Sequence, residues 1–145
     1  MPMPRTYSTA RAFRKAVEER IKRTALNSQF DIPRLRRQIS FDRLLARLFY
    51  QPSPPWVLKG GYALELRFTY ARTTVDIDLT VQQVASQPAT DQNQTIQAML
   101  QRAADANLGD WFEFKINPPM MDLTAAPYGG ARYGVSKFYE RILVR

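Results

Sequence analysis

Apolar residues recur at helical spacing from Ser8 to Asn27. Phe13, Ala16, Val17, Ile21 and Ala25 form one stripe, and most of the Arg and Lys residues of the segment fall off it. Ser8 or Thr9 supplies a capping hydroxyl at its start. A second helix is predicted from Asp31, a capping residue, with Pro33 tolerated in the first turn. Its apolar set (Leu35, Ile39, Phe41, Leu44, Leu45, Leu48 and Phe49) is too wide for a surface helix, so Phe41 to Phe49 is expected to be buried. The stretch Gln51 to Pro55, with three prolines, ends it.

The pattern changes at Trp56. Trp56-Val57-Leu58 reads as a short buried strand, Gly60-Gly61 as a tight break, and Tyr62 to Phe68 as the start of a helix. Thr73 to Val81 is the strongest strand signal, rich in β-branched residues and alternating. Val84 to Asn93 reads as a polar loop and Thr95 to Leu108 as a helix with Ile96, Met99, Leu100 and Ala103 on one face. Trp111 to Ile116 alternates, with Phe112, Phe114 and Ile116 on one side and Trp111, Glu113 and Lys115 on the other. Pro118-Pro119 and Pro127 predict a turn-rich passage, Gly129-Gly130 another break, and Tyr133 to Arg145 one or two further strands.

The expected fold class is α/β (α+β): a mixed sheet of about four strands preceded by two helices. Those helices should cover one face through Phe13, Val17, Ile21, Leu44, Leu45 and Leu48. With 145 residues there is room for one domain. Residues 1–50 are expected to form a helical region packed on a core made by residues 51–145. A strand ending at Arg145 with no following turn reads as an unfinished sheet, so the chain is expected to be the N-terminal part of a longer protein or a truncated relative.

The charge adds a functional dimension. Residues 1–50 carry 12 Lys/Arg and 4 Asp/Glu, and residues 51–145 carry nine of each, so the whole net charge of +8 lies in the first third. A local basic surface attracts polyanions, nucleic acid first among them; a solvated, arginine-rich helix face is the alternative. The chain has no Cys and no His. This excludes disulfides, thiolate nucleophiles, Ser-His-Asp chemistry and His-ligated metals. No apolar run approaches the roughly 18 residues needed to span a bilayer, and a cytoplasmic location without membrane contact is expected.

The candidate chemistry lies in Lys59-Gly60-Gly61-Tyr62-Ala63-Leu64 and Arg72-Thr73-Thr74-Val75-Asp76-Ile77-Asp78-Leu79. Asp76 and Asp78 alternate on a strand, so both carboxylates leave one face, roughly 6–7 Å apart at the backbone. Two such carboxylates repel unless a cation lies between them, and Mg²⁺ completed by substrate phosphates fits that role. A strand–Gly-Gly–helix turn lets backbone approach a phosphate closely. Together they supply a phosphate cradle and a metal clamp, the two parts that nucleotidyl or phosphoryl transfer requires.

These two motifs, with Phe41 to Leu48 upstream and Asp122 to Tyr133 downstream, resemble the AbiEii/AbiGii toxin family of nucleotidyltransferases, within the DNA polymerase β-like superfamily. The resemblance covers most of the chain. It implies a polymerase β-like core and a toxin of a toxin–antitoxin or abortive-infection phage-defence system. Such a toxin transfers a nucleotide from a nucleoside triphosphate, with Mg²⁺, to an RNA acceptor, tRNA being one candidate. The implied partner is a cognate antitoxin. Asp76 and Asp78 would hold the metal, and Gly60 and Gly61 would position the triphosphate, with Lys59 and Arg72 assisting. The superfamily's third carboxylate has no matching residue; Glu113 is the nearest acidic candidate and stands off the family pattern. Two alternatives stay open: a truncated, inactive nucleic-acid-binding or interaction protein retaining the fold, and a phosphotransferase on the same fold.

Overall fold

In the computed structural model, residues 7–60, 62, 77–81, 89–122, 131–139 and 142–143 are described. Helix α1 runs Ala10–Leu26. Thr9 caps it through a side-chain oxygen that accepts from the Ala12 N–H at 3.1 Å. Helix α2 runs Ile32–Leu48, with Pro33 in its first turn. It is capped by Asp31, whose carboxylate accepts from the Arg34 N–H at 2.8 Å. Strand β1 (Trp56–Lys59) follows the proline-rich break. Then come β2 (Asp78–Val81), helix α3 (Ala89–Ala104), β3 (Phe112–Asp122), β4 (Ala131–Tyr139) and the short β5 (Ile142–Leu143).

The core forms where apolar stripes of α1, α2 and α3 meet the inner faces of β1 and β3. Ala10, Leu44, Leu45, Leu48, Trp56, Leu100, Ala104, Phe112, Phe114 and Ile116 are buried together. Phe112, Phe114 and Ile116 alternate with exposed Glu113 and Lys115, as the period of two requires. Phe13 of α1 meets Phe112 edge-on at 5.5 Å, and buried Ile21 adds to the inner side of α1. Among the described residues no helix is long and apolar enough to cross a membrane.

Three sequence expectations change. The described strands pair only antiparallel, β1 with β2 and β3-β4-β5 as a separate meander, where a mixed sheet was expected. The physical reason lies at β3. Gln101 accepts from the Ile116 N–H at 2.7 Å and donates to the Phe114 carbonyl at 3.1 Å, and Gln97 donates to the Ile116 carbonyl at 3.2 Å. Side chains of α3 thus take backbone groups that a neighbouring strand would otherwise use.

Helix α3 begins at Ala89, inside the stretch expected to be loop. Gln is a good helix former despite its polarity. Finally, β3 continues through Pro118-Pro119. The register shifts on both sides of Pro119, and such a bulge is where a strand tolerates a residue without an N–H.

Candidate functional site

The register of the β1–β2 ribbon sets Lys59 opposite Asp78, Leu58 opposite Leu79, Val57 opposite Thr80 and Trp56 opposite Val81. Cross-strand partners share a face. Trp56, Leu58, Leu79 and Val81, with Ile77, pack into the core, whereas Val57, Lys59, Asp78 and Thr80 are exposed. The alternation predicted around Asp78 therefore holds: its apolar neighbours point inward and its carboxylate points to solvent.

Gly60 follows β1 with φ +77°, a conformation that favours glycine. A Cβ placed on it would lie 3.1 Å from both the Cβ and the Oδ2 of Asp78. The missing side chain is what lets the Asp78 carboxylate rest against the backbone of the turn. Of the sequence-predicted site residues, the structure brings Lys59, Gly60 and Asp78 together. Gly61, Arg72 and Asp76 lie outside the described residues, as does most of the helix predicted after the turn.

Two aromatic side chains pin the turn to α2. Before it, Trp56 donates from Nε1 to the Leu48 carbonyl at 2.8 Å and is buried. After it, Tyr62 is fully buried, meets Phe41 edge-on at 4.9 Å, and donates to the Asp42 carboxylate at 2.5 Å. An aromatic body packs in the core while its polar end finds an acceptor. Sequence reasoning missed these anchors. Their signal was an aromatic residue a few positions to either side of the glycine pair.

A second missed feature is a buried arginine. Arg47 stands on the inner side of α2 between Leu44 and Leu48 and pairs bidentately with Asp110. It also donates to the Phe112 carbonyl at 3.0 Å and to the Arg43 carbonyl at 2.9 Å, and it lies over the Phe114 ring. Arg43 adds a 2.6 Å bond to the same carboxylate. Burial disfavours the charge on Asp110, but the hydrogen bonds from Arg47 and Arg43 outweigh it and hold this carboxyl below its usual range. The cluster secures the tight turn into β3, where Trp111 has φ +63°. Lys137 donates to Ser40 at 2.7 Å; burial pushes its ammonium pKa down against the opposing pull of Glu18.

At this turn the described residues supply one exposed carboxylate, that of Asp78, an oxygen donor of the kind a hard divalent cation takes. Among the described residues no three acidic side chains gather to hold a metal. Glu113, the alternative third carboxylate, is exposed on β3 opposite Phe138 in the other sheet. A separate open groove of about 280 Å³, lined in part by Arg47, Tyr50, Trp56, Met99 and Arg102, includes none of the predicted site residues.

Among known protein families, residues 43–140 match the one described as nucleotidyl transferase AbiEii toxin, type IV toxin–antitoxin system. No curated protein matches the chain.

Proposed function

The chain belongs to the AbiEii nucleotidyl transferase toxin family of type IV toxin–antitoxin systems, and from that membership we propose that it transfers a nucleoside monophosphate from a triphosphate to an RNA acceptor. On this reading a polymerase β-like core made by residues 51–145, with the basic region 1–50 packed on it as one domain, acts in the cytoplasm. tRNA is the first acceptor to test, and an antitoxin is the controlling partner. The observation that carries the reading is the contact of Asp78 with the Cβ-free backbone of Gly60 across the β1–β2 register.

Asp76 and Asp78 would hold Mg²⁺, which when bound neutralises phosphate charge during an in-line displacement. The backbone N–H groups at Gly60 and Gly61 would meet the triphosphate beside these carboxylates; at Gly60 the space a side chain would take is filled by Asp78 itself, which sets its carboxylate against the turn. Lys59 and Arg72 would balance the charge of the β- and γ-phosphates, Lys59 from the same exposed face as Asp78. Trp56 and Tyr62 keep the turn fixed against α2, so the carboxylate and the turn hold one spacing through the reaction. The acceptor hydroxyl then displaces pyrophosphate from the α-phosphate.

The test is incubation with Mg²⁺, total tRNA and triphosphates labelled at the α or the γ position. Transfer of the α-label, lost in Asp76→Asn and Asp78→Asn, is the expected result. Transfer of the γ-label would identify a phosphotransferase, and no transfer by the folded chain would support an inactive binding protein.

A further inference from the structure

The outer face of α1 carries a charge pattern that the fold itself does not require. Ala10, Phe13 and Ile21 turn the helix's apolar side to the protein. The opposite side exposes Arg11, Lys15, Lys22 and Arg23, with Arg20 exposed on its flank, against a single acid, Glu19. The helix's other acid, Glu18, is drawn off the outer face into an ion pair with Arg36 of α2, N–O 2.7 Å. That pairing, the nearest of several cations, holds the Glu18 carboxyl below its usual range.

The cost to the helix is confined to its first turns. Arg11 and Lys15 place like charges at helical neighbour spacing, whereas Glu19 stands at that spacing from Lys15, Lys22 and Arg23 and offsets part of their repulsion. Arg11 stands near the positive end of the macrodipole, and no acid occupies the first turn. With five exposed cations against one exposed acid, the helix presents a net positive surface that attracts polyanions. Arg11 to Arg23 spans about 18 Å along the helix axis, the reach of several successive phosphates. Arginine and lysine at such spacing position a nucleic-acid backbone without reading its bases.

We propose that this outer face of α1 is the docking surface for the phosphate backbone of the RNA acceptor. The proposal rests on the nucleotidyltransferase reading for the class of polyanion, and on the charge pattern for the place. The complementary charge is phosphate, evenly spaced and dense, which suits a line of cations over three turns better than scattered carboxylates do.

The experiment measures binding of a fluorescent RNA hairpin with a single-stranded 3′ end by anisotropy, from 50 to 300 mM salt and without triphosphate. Wild type is compared with a triple variant, Arg11→Gln with Lys15→Gln and Lys22→Gln. Each lost phosphate contact reduces the salt slope by about 1, so the triple variant should bind at least about tenfold more weakly, with a slope shallower by about 2 to 3. An unchanged slope overturns the proposal. Glu19→Gln, which removes the one acid from this face, should tighten binding, and decides the matter should the triple variant lose helicity; unchanged affinity there overturns it too. Poly-glutamate of matched charge that competes as well as RNA would assign the face to an acidic protein and overturn the commitment to RNA. RNA binding that needs α1 in a protein showing no transfer sinks the enzymatic reading and leaves this one standing. Transfer to RNA that is indifferent to the triple substitution does the reverse.

Discussion

Gly60→Ala tests whether the glycine turn is there for Asp78 or only for the chain's own turning. The fold provides a matched control. Gly60 has φ +77° and Gly109 has φ +71°, so alanine at either must adopt a left-handed backbone. That strain costs about 1–2 kcal/mol, offset in part by the roughly 0.4–1 kcal/mol that a stiffer unfolded chain returns. From the backbone alone both variants should therefore lose about 1 kcal/mol, a few degrees in Tm for a chain of this size. They differ in their neighbours. The new methyl meets nothing within 4 Å at Gly109, but at Gly60 it lies 3.1 Å from the Cβ and Oδ2 of Asp78. Ordinary contact needs several tenths of an ångström more; the Asp78 carboxylate can rotate away, but its Cβ is fixed to β2, so the strand must shift as well. Displacing a carboxylate by a fraction of an ångström to an ångström costs about 10- to 100-fold in a reaction that depends on its position, ~1.4 to 2.8 kcal/mol. Urea melts and initial rates of α-label transfer, run on both variants together, give the comparison. A somewhat larger stability loss in Gly60→Ala than in Gly109→Ala, with selective loss of transfer in Gly60→Ala, is expected. Equal transfer rates in the two variants would refute the argument that Asp78 must rest against an unshielded backbone.

Asp78→Asn should abolish transfer yet stay within about 0.5 kcal/mol of wild type in a denaturant melt, because the side chain is exposed. Asp110→Asn should cost about 3 kcal/mol or more, because it strips the counter-charge from an arginine that is only 2% exposed; a loss under 1 kcal/mol in urea would show that the remaining carbonyl acceptors suffice. The pH dependence follows from the same carboxylates. Asp110 and Glu18 both have folded-state pKa values lowered below their unfolded ones, so their contribution is fully present above the ordinary carboxylate range near ~4 and is lost as pH falls through the lowered values. Tm should be flat from neutral pH to about 5 and fall below it, and in Asp110→Asn the acid-range slope should flatten.

Much of this protein was legible in the chain because periodicity is a local property. The caps Thr9 and Asp31, the apolar stripe of α2 and the alternation of Phe112, Phe114 and Ile116 all follow from neighbours within one or two turns of each residue. The paired motifs at Gly60 and Asp78 were visible for the same reason, as residue types at a fixed spacing. What local pattern does not contain is which edge meets which. The glutamines of α3 that occupy the edge of β3, and so separate the two antiparallel sheets, are polar residues on a helix with no distinctive spacing. Arg47 reads in the chain as one more cation of a basic third, and only its burial beside Asp110, 63 positions away, turns it into the centre of an ion-pair network. The contact of Gly60 with Asp78 likewise needs the ribbon register. A glycine's sequence tells that a close approach is allowed; the tertiary structure alone decides what approaches, because that depends on strand pairing and on the aromatic anchors that hold the turn against α2.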